Sequence, residues 1–245
     1  MTIDFAFLAL QEHPYGREML RILLDRNFRP SLIIQEASPL ADEERSKFLA
    51  RIAGQPLPPA LADLVAGLDI PQCEVANHND ASCHRILAEQ QPALVVLGGT
   101  RIIRSPLLEL PTLGMVNAHP GLLPRLRGSS SVGWALYKDL PVGSTTHFID
   151  ARIDTGPLIL RRRLPVYRGE TYERIVRRVL TLSGELMAES LALFQGGERP
   201  RTTPQDPAVG ETLRVIPPEL LAVAKTRLAR GRYSHFTDSE ESPHG

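Results

Sequence analysis

The chain has 245 residues, of which 42% are hydrophobic and 23% charged, enough to bury a core as one large domain or as a domain with an appended unit. Lys+Arg and Asp+Glu both number 28, a formal net charge of zero, so no basic field favours a nucleic-acid partner. Two cysteines, Cys73 and Cys83, make no disulfide framework and point to a reducing compartment.

Ile3 to Leu10 is apolar, lacks a basic flank and breaks at Gln11-Glu12-His13-Pro14, which predicts a buried first strand and not a signal peptide. No later apolar run approaches the about 20 residues of a membrane span, and the expectation is a cytoplasmic protein with no membrane partner. Met19, Leu20, Leu23 and Leu24 lie at helical spacing within 16–27, and Ser31 to Glu36 reads as the next strand, giving a first βαβ unit. A polar helix follows over 39–54, with Asp42, Glu43, Glu44, Arg45 and Lys47 on its solvated face, and then the proline-rich Gln55 to Pro59.

Gln72 to Ala76 reads as a short strand, Asp80 to Gln90 as a helix and Ala93 to Gly99 as a continuous apolar strand central to a sheet. Met115 to Ala118 and Thr145 to Ile149 are further strands, with a helix over Val132 to Tyr137 between them. Leu158 to Val166 reads as a strand with Arg161 to Arg163 on its exposed part, and Glu170 to Phe194 as a long amphipathic helix. Thr203 to Pro207 is loop-like, Pro217 to Arg230 helical, and Ser239 to Gly245 frayed. The alternation predicts an α/β fold: a Rossmann-like, mostly parallel twisted sheet flanked by helices, with a short C-terminal helical extension. Residues 1–196 are expected to form the catalytic domain and 197–245 the partly helical extension.

Two motifs carry the chemistry. Asn117-Ala-His119-Pro120-Gly121-Leu-Leu-Pro124-Arg-Leu-Arg127-Gly128 follows one strand, and Asp150-Ala-Arg-Ile-Asp154-Thr-Gly156-Pro157 follows another. Ligands in open α/β sheets gather at carboxyl ends of strands, and both motifs are expected there. An amide can donate to an oxygen that gains charge when an amine attacks an acyl carbon. An imidazole can carry the proton that the amine sheds. A carboxylate beside it favours the charged imidazole, so Asp154 is expected to raise the imidazolium fraction of His119 or to hold a water that relays the proton. Together these point to acyl transfer.

The same residues resemble the folate-dependent formyltransferase family, in which N-x-H-P-[SG]-L-L-P-x-x-R-G precedes a D-x-G-P loop. The quotable motifs lie between Val95 and Ile159, and Asn117, His119 and Asp154 match the family's catalytic triad one for one. The resemblance implies 10-formyltetrahydrofolate as co-substrate. It also implies that the pterin lies between 97–103 and 149–154, making Leu97, Thr100, Arg101, Ile102, Ile103, Ile149, Asp150 and Ile153 candidate folate contacts. Purine-pathway members carry arginine where this chain has Ile102. Gly128, Ser129 and His147 are candidate acceptor-side residues, and Gly156-Pro157 fits a tight loop that lets a flat ligand approach the backbone.

Other clusters carry less. Cys73, His78, Cys83 and His84 match no zinc spacing and read as core thiols and surface histidines, so no metal is expected. Ser129 to Ser131 form no G-x-S-x-G elbow and read as caps for the next helix or as substrate contacts. Among family members, glycinamide ribonucleotide enzymes place a Gly-Ser-rich phosphate loop where this chain has Gln11 to Gly16. Methionyl-tRNA enzymes append a carboxyl-terminal barrel for which the residues after Phe194 are too few. By elimination the expected acceptor is a primary amine on a small metabolite, either an amino sugar nucleotide or an amino acid or amine. The tail from Glu198 to Phe236 is expected to shape that pocket or a homodimer contact. Competing classes are a 10-formyltetrahydrofolate hydrolase, a transferase of another one-carbon or acyl unit, and a non-catalytic folate-binding protein.

Overall fold

The computed structural model describes residues 3–194, 196–206 and 208–237. Its first half contains β1 (Phe5–Leu10), α1 (Pro14–Asp25), β2 (Leu32–Glu36), α2 (Pro39–Arg51), α3 (Leu61–Leu64), β3 (Gln72–Val75), α4 (Ala81–Gln90), β4 (Leu94–Leu97) and β5 (Met115–His119). The second half contains β6 (Leu126–Gly128), α5 (Ser131–Tyr137), β7 (Gly143–Phe148), β8 (Leu158–Arg163), α6 (Tyr172–Ala192), β9 (Glu211–Leu213) and α7 (Pro218–Ala229).

Seven strands form one sheet in the order β3-β2-β1-β4-β5-β7-β8. The first five are mutually parallel and β4 is central, as its unbroken apolar run requires. Strands β7 and β8 are antiparallel to their neighbours, and β8 ends the sheet with Arg161, Arg162 and Arg163 exposed. One face packs Phe5, Phe7, Val96 and Val116 against α1 and α6. The other packs Leu8, Leu97 and Met115 against Cys83 and Leu87 of α4. Side-chain alternation along each strand thus fills both faces with apolar residues.

Local chemistry sets the helix starts. Pro39 opens α2 behind Ser38, whose hydroxyl accepts from the Ala41 N–H at 3.2 Å, and Asp80 caps α4 through the Cys83 N–H at 3.0 Å. Thr171 does the same for α6 through Arg174 at 3.2 Å, each cap contributing about 1 kcal/mol. The twenty-one residues of α6 bury a face including Ile175, Val179, Leu186 and Met187, and each such side chain contributes about 1.5–3 kcal/mol.

The segment after α6 holds a strand as well as a helix. β9 pairs in parallel with β6, while Ala224, Leu228 and Tyr233 pack with Val132 of α5 and Ile175 of α6. Both strands are three residues long, too short for alternation to announce them. The predicted frayed segment 239–245 lies outside the described residues. Among the described residues no helix is long and apolar enough to cross a membrane.

Candidate active site

Alternation along β5 turns Asn117 and His119 to the same side as Met115, the face of Leu97 and Leu8. Asn117 is in register with Leu97 on one side and with His147 on the other, and His119 with Thr145. The two β5 residues therefore stand at the carboxyl end of a parallel strand, where the sequence placed them. Asp154 does not arrive that way. β7 is antiparallel to β5, so its carboxyl end, Phe148, lies beside Val116 at the other end of the site, contrary to the expected position.

The chain makes up the distance by doubling back. The Phe148 N–H donates to the Pro157 carbonyl at 2.9 Å, closing the loop between them. At Gly156 a Cβ would lie 1.9 Å from the Phe148 carbonyl oxygen, so glycine is required there by the returning backbone and not by a ligand. Asp150 shapes the loop by accepting from the Arg152 N–H at 3.0 Å and the Thr155 hydroxyl at 2.6 Å. At the tip Asp154 takes a left-handed φ of 53°, a conformation that costs an ordinary residue free energy and is found at functional sites.

The result is a compact cluster. His119 Nδ1 lies 3.2 Å from Asp154 Oδ2, and His147 Nε2 lies 3.6 Å from Asp154 Oδ1 and 3.4 Å from Asn117 Nδ2. The Gly128 N–H donates to Asp154 Oδ2 at 2.7 Å. The ring of His147 is oriented by its Nδ1, 2.8 Å from the Phe148 carbonyl, which turns Nε2 toward both the Asn117 amide and the Asp154 carboxylate.

Both nitrogens of His119 face oxygen: Nδ1 the Asp154 carboxylate, and Nε2 the Leu126 carbonyl at 2.8 Å and the Ser131 hydroxyl at 3.0 Å. A neutral ring donates from one nitrogen and a protonated ring from both. Burial nevertheless lowers the His119 pKa below the ordinary value, with Asp154 pulling against burial and His147 adding to it. The expected rise in imidazolium is thus reversed, because His119 is only 2% exposed and desolvation outweighs the carboxylate. Burial also pushes the Asp154 carboxyl up, but His119, His147 and the Gly128 N–H overcome it and hold it below the usual range. The site pairs a persistent carboxylate with an imidazole that is neutral at rest and becomes fully hydrogen-bonded on taking a proton.

The two segments proposed to flank a pterin meet beside β5. Leu97 and Ile103 are buried in one cluster with Met115, and Ile149 packs against it. Ile102 and Ile153 are 55% and 40% exposed, while Thr100 is half-buried. Arg101 is turned away: its Nε donates at 2.7 Å to Glu36 Oε2, and a second nitrogen bonds Oε1. Glu36, fully buried, also accepts from the Ser38 hydroxyl and the His78 N–H at 2.7 and 2.9 Å. His78 is therefore a core residue and not the surface histidine the sequence suggested, since Glu36 needs its polar groups.

On the acceptor side, Ser129 is exposed and bonds β9 through its backbone, whereas Ser131 reaches His119. The expected cap is missing: Ser130 occupies the cap position of α5 with φ 57° and makes no capping bond. Sequence reasoning passed over several supporting groups. Gly121 lies against the His119 ring, the Tyr15 hydroxyl bonds the Ala118 carbonyl, and Gln205 donates to the carbonyls of Asp154 at 2.9 Å and Gly156 at 2.7 Å. Only Gly121, next to the His-Pro pair, carried a signal in the sequence.

The sequence pattern of the formyl transferase family matches residues 57–191, a span that includes all four clustered side chains. Methionyl-tRNA formyltransferase of Koribacter versatilis is 36% identical over 137 residues, covering 56% of this chain and 44% of that protein. The chain spans about half the length of the curated relatives it matches. Among solved structures, glycinamide ribonucleotide transformylase 1 from Symbiobacterium toebii superposes with a TM-score of 0.58 at 23% identity, over 83% of this chain and 95% of that one. The formyltransferase PseJ from Anoxybacillus kamchatkensis, solved with UDP-4,6-dideoxy-4-formamido-L-AltNAc and tetrahydrofolate, gives 0.51 at 20% identity over 86% of each chain. With more than half of its residues inside the family pattern, this chain belongs to the formyl transferase family of enzymes.

Proposed function

We propose that the protein is an N-formyltransferase that moves the formyl group of 10-formyltetrahydrofolate to a primary amine of a small metabolite. The observation that carries this reading is the convergence of Asn117, His119, His147 and Asp154, whose nearest polar atoms lie 3.2–3.6 Å apart. The apolar floor of Leu97, Ile103 and Ile149, with exposed Ile102 and Ile153 beside it, suits a flat ring, and a relative of the same fold was solved with tetrahydrofolate. Leu97, Thr100 and 149–153 would hold the donor, and Arg101 would act by fixing its loop through Glu36. When bound, the donor supplies an activated formyl carbon. The Asn117 amide offers an N–H to an oxygen gaining negative charge. His119 takes the proton shed by the attacking amine and returns it to the donor nitrogen as that nitrogen's bond to the formyl carbon breaks, and Asp154 steadies the charged ring between the two transfers. The domain of residues 1–196 then carries the chemistry, and Gln205 and the β6–β9 pair from the following segment brace it.

A small acceptor is favoured over an amine borne on tRNA by the zero net charge. The test follows the absorbance change on loss of the formyl group from 10-formyltetrahydrofolate, with and without a panel of amines and with methionyl-tRNA. Acceleration by a small amine supports the reading. Formate release that no amine accelerates would replace it with a hydrolase, and acceleration by methionyl-tRNA alone would replace the acceptor.

A further inference from the structure

Beside Ser131, whose hydroxyl lies 3.0 Å from His119 Nε2, the structure holds a small open cavity of about 50 Å³. Pro120 and Ser131 form one wall, α6 supplies Val176 and Val179, and α2 supplies Phe48 and Arg51. The lining is apolar except for Arg51, the hydroxyls of Ser130 and Ser131, and two tyrosines.

Two features of this lining suit a polar ligand. Arg51 is half-buried, and among the described residues it makes no ion pair. The acidic side chains of its own helix are taken, Asp42 by Arg45 at 2.6 Å and Glu43 and Glu44 by Lys47 at 2.6 and 2.9 Å. His13, packed on Phe48, is no counter-charge: burial first and the charge of Arg51 second hold it down at about 4. The second feature is Ser130, whose Oγ is buried without a hydrogen-bond partner and whose backbone is left-handed. Orphaned polar groups and such backbone strain each cost free energy that a bound ligand offsets.

We infer that this cavity, within the transferase reading above, is the acceptor's anion subsite and takes the carboxylate of a small amino acid, paired with Arg51 and hydrogen-bonded to Ser130. One guanidinium in an apolar wall balances one negative charge, which suits a carboxylate better than a phosphate dianion. A cavity of this size admits a carboxylate. Ser131 links the cavity to the catalytic cluster, since it lines the cavity while its hydroxyl lies 3.0 Å from His119 Nε2.

The test is a ligand-observed NMR titration of the whole protein with glycine, β-alanine and 4-aminobutyrate, each against its decarboxylated counterpart, methylamine, ethylamine or propylamine. 2-Aminoethylphosphonate serves as the dianionic probe. At least one amino acid should bind and its decarboxylated partner should not. Arg51→Met should weaken that binding about 10- to 100-fold, the range for losing a hydrogen bond to a charged group. Arg51→Lys should restore part of it, and Ser130→Ala should cost a few-fold. Circular dichroism melts establish that each variant is folded; should Arg51→Met not fold, Arg51→Lys and Ser130→Ala still decide by the size of their loss. Equal binding of acids and plain amines, preference for the phosphonate, or unchanged affinity in the folded variants would overturn the subsite. Binding needs no donor, so amino acid binding without any formyl loss from 10-formyltetrahydrofolate refutes the transferase reading and leaves the subsite standing. Formyl loss driven by plain amines alone does the reverse.

Discussion

His119 Nδ1 and Asp154 Oδ2 stand 3.2 Å apart, although they come from segments that enter the site from opposite ends of the sheet. Asp154→Asn keeps the shape and an oxygen for the Gly128 N–H but removes the charge that steadies a protonated ring. Turnover of 10-formyltetrahydrofolate should fall by about 10²–10⁴-fold, the range for a positioned proton carrier, with the melting temperature within a few degrees of wild type. Activity near the wild-type level in the folded variant would remove Asp154 from the mechanism.

Gly121 makes a sharper geometric demand. A Cβ there would lie 2.8 Å from Ser131 Cβ and 2.9 Å from His119 Nε2, closer than those atoms tolerate, so Gly121→Ala must displace the ring or the serine. Overpacking of this kind costs about 1–3 kcal/mol, and a shift near 1 Å of a reacting group costs about 100-fold in rate. Urea melts and steady-state kinetics should show a modest loss of stability beside a large loss of kcat. Unchanged kcat would mean that His119 need not hold its observed position.

Much of this was legible because the periods are strong. The βα alternation, the central β4 and the long α6 are written in runs of four or more apolar residues or in a sustained helical stripe. Asn117 and His119 were legible because they share a strand and a motif. What escaped depends on contacts distant in sequence. The direction of β7 is set by pairing with β5 and not by its own residues, so the route of Asp154 was misplaced. His78 looked like a surface residue because Glu36, its partner 42 positions away, is invisible to local pattern. The orphaned Arg51 and Ser130 are likewise defined by partners they lack, which only packing reveals.

The Glu36 network ties the loop after β4 to the core. Glu36 is fully buried, and although burial pushes its carboxyl up, His78, Arg101 and Ser38 hold it below the usual carboxylate range. Glu36→Gln conserves volume but strands the Arg101 guanidinium and supplies a donor where acceptors are needed. Breaking a buried pair costs about 3–5 kcal/mol, and the partial exposure of Arg101, 22% for its side chain, lowers the expectation to about 2–3 kcal/mol in urea unfolding. Tetrahydrofolate binding should weaken in the folded variant, because the loop carrying Thr100 loses its anchor. Wild-type affinity for tetrahydrofolate would show that Arg101 does not position that loop for the donor.

His13 should make stability fall on mild acidification. Its Nδ1 accepts the Tyr15 N–H at 3.2 Å to cap α1, which needs the unprotonated ring, and burial with the nearby Arg51 charge lowers its pKa from 6.5 to about 4. A lowered histidine pKa means that the unfolded chain binds the proton more readily than the folded one. The stabilisation is therefore complete above pH 6.5 and is lost progressively as the pH falls toward 4; over that window the shift corresponds to about 3 kcal/mol. His119, also lowered, acts with the same sign. His13→Asn retains a good capping side chain and removes the titration, while giving up the ring packed 4.9 Å from Phe48, worth about 1 kcal/mol at neutral pH. Unfolding free energies measured from pH 7.5 to 4.5 should therefore start lower in the variant and decline less steeply. A slope equal to that of the wild type would place the acid sensitivity elsewhere and show that His13 is not held neutral by its surroundings.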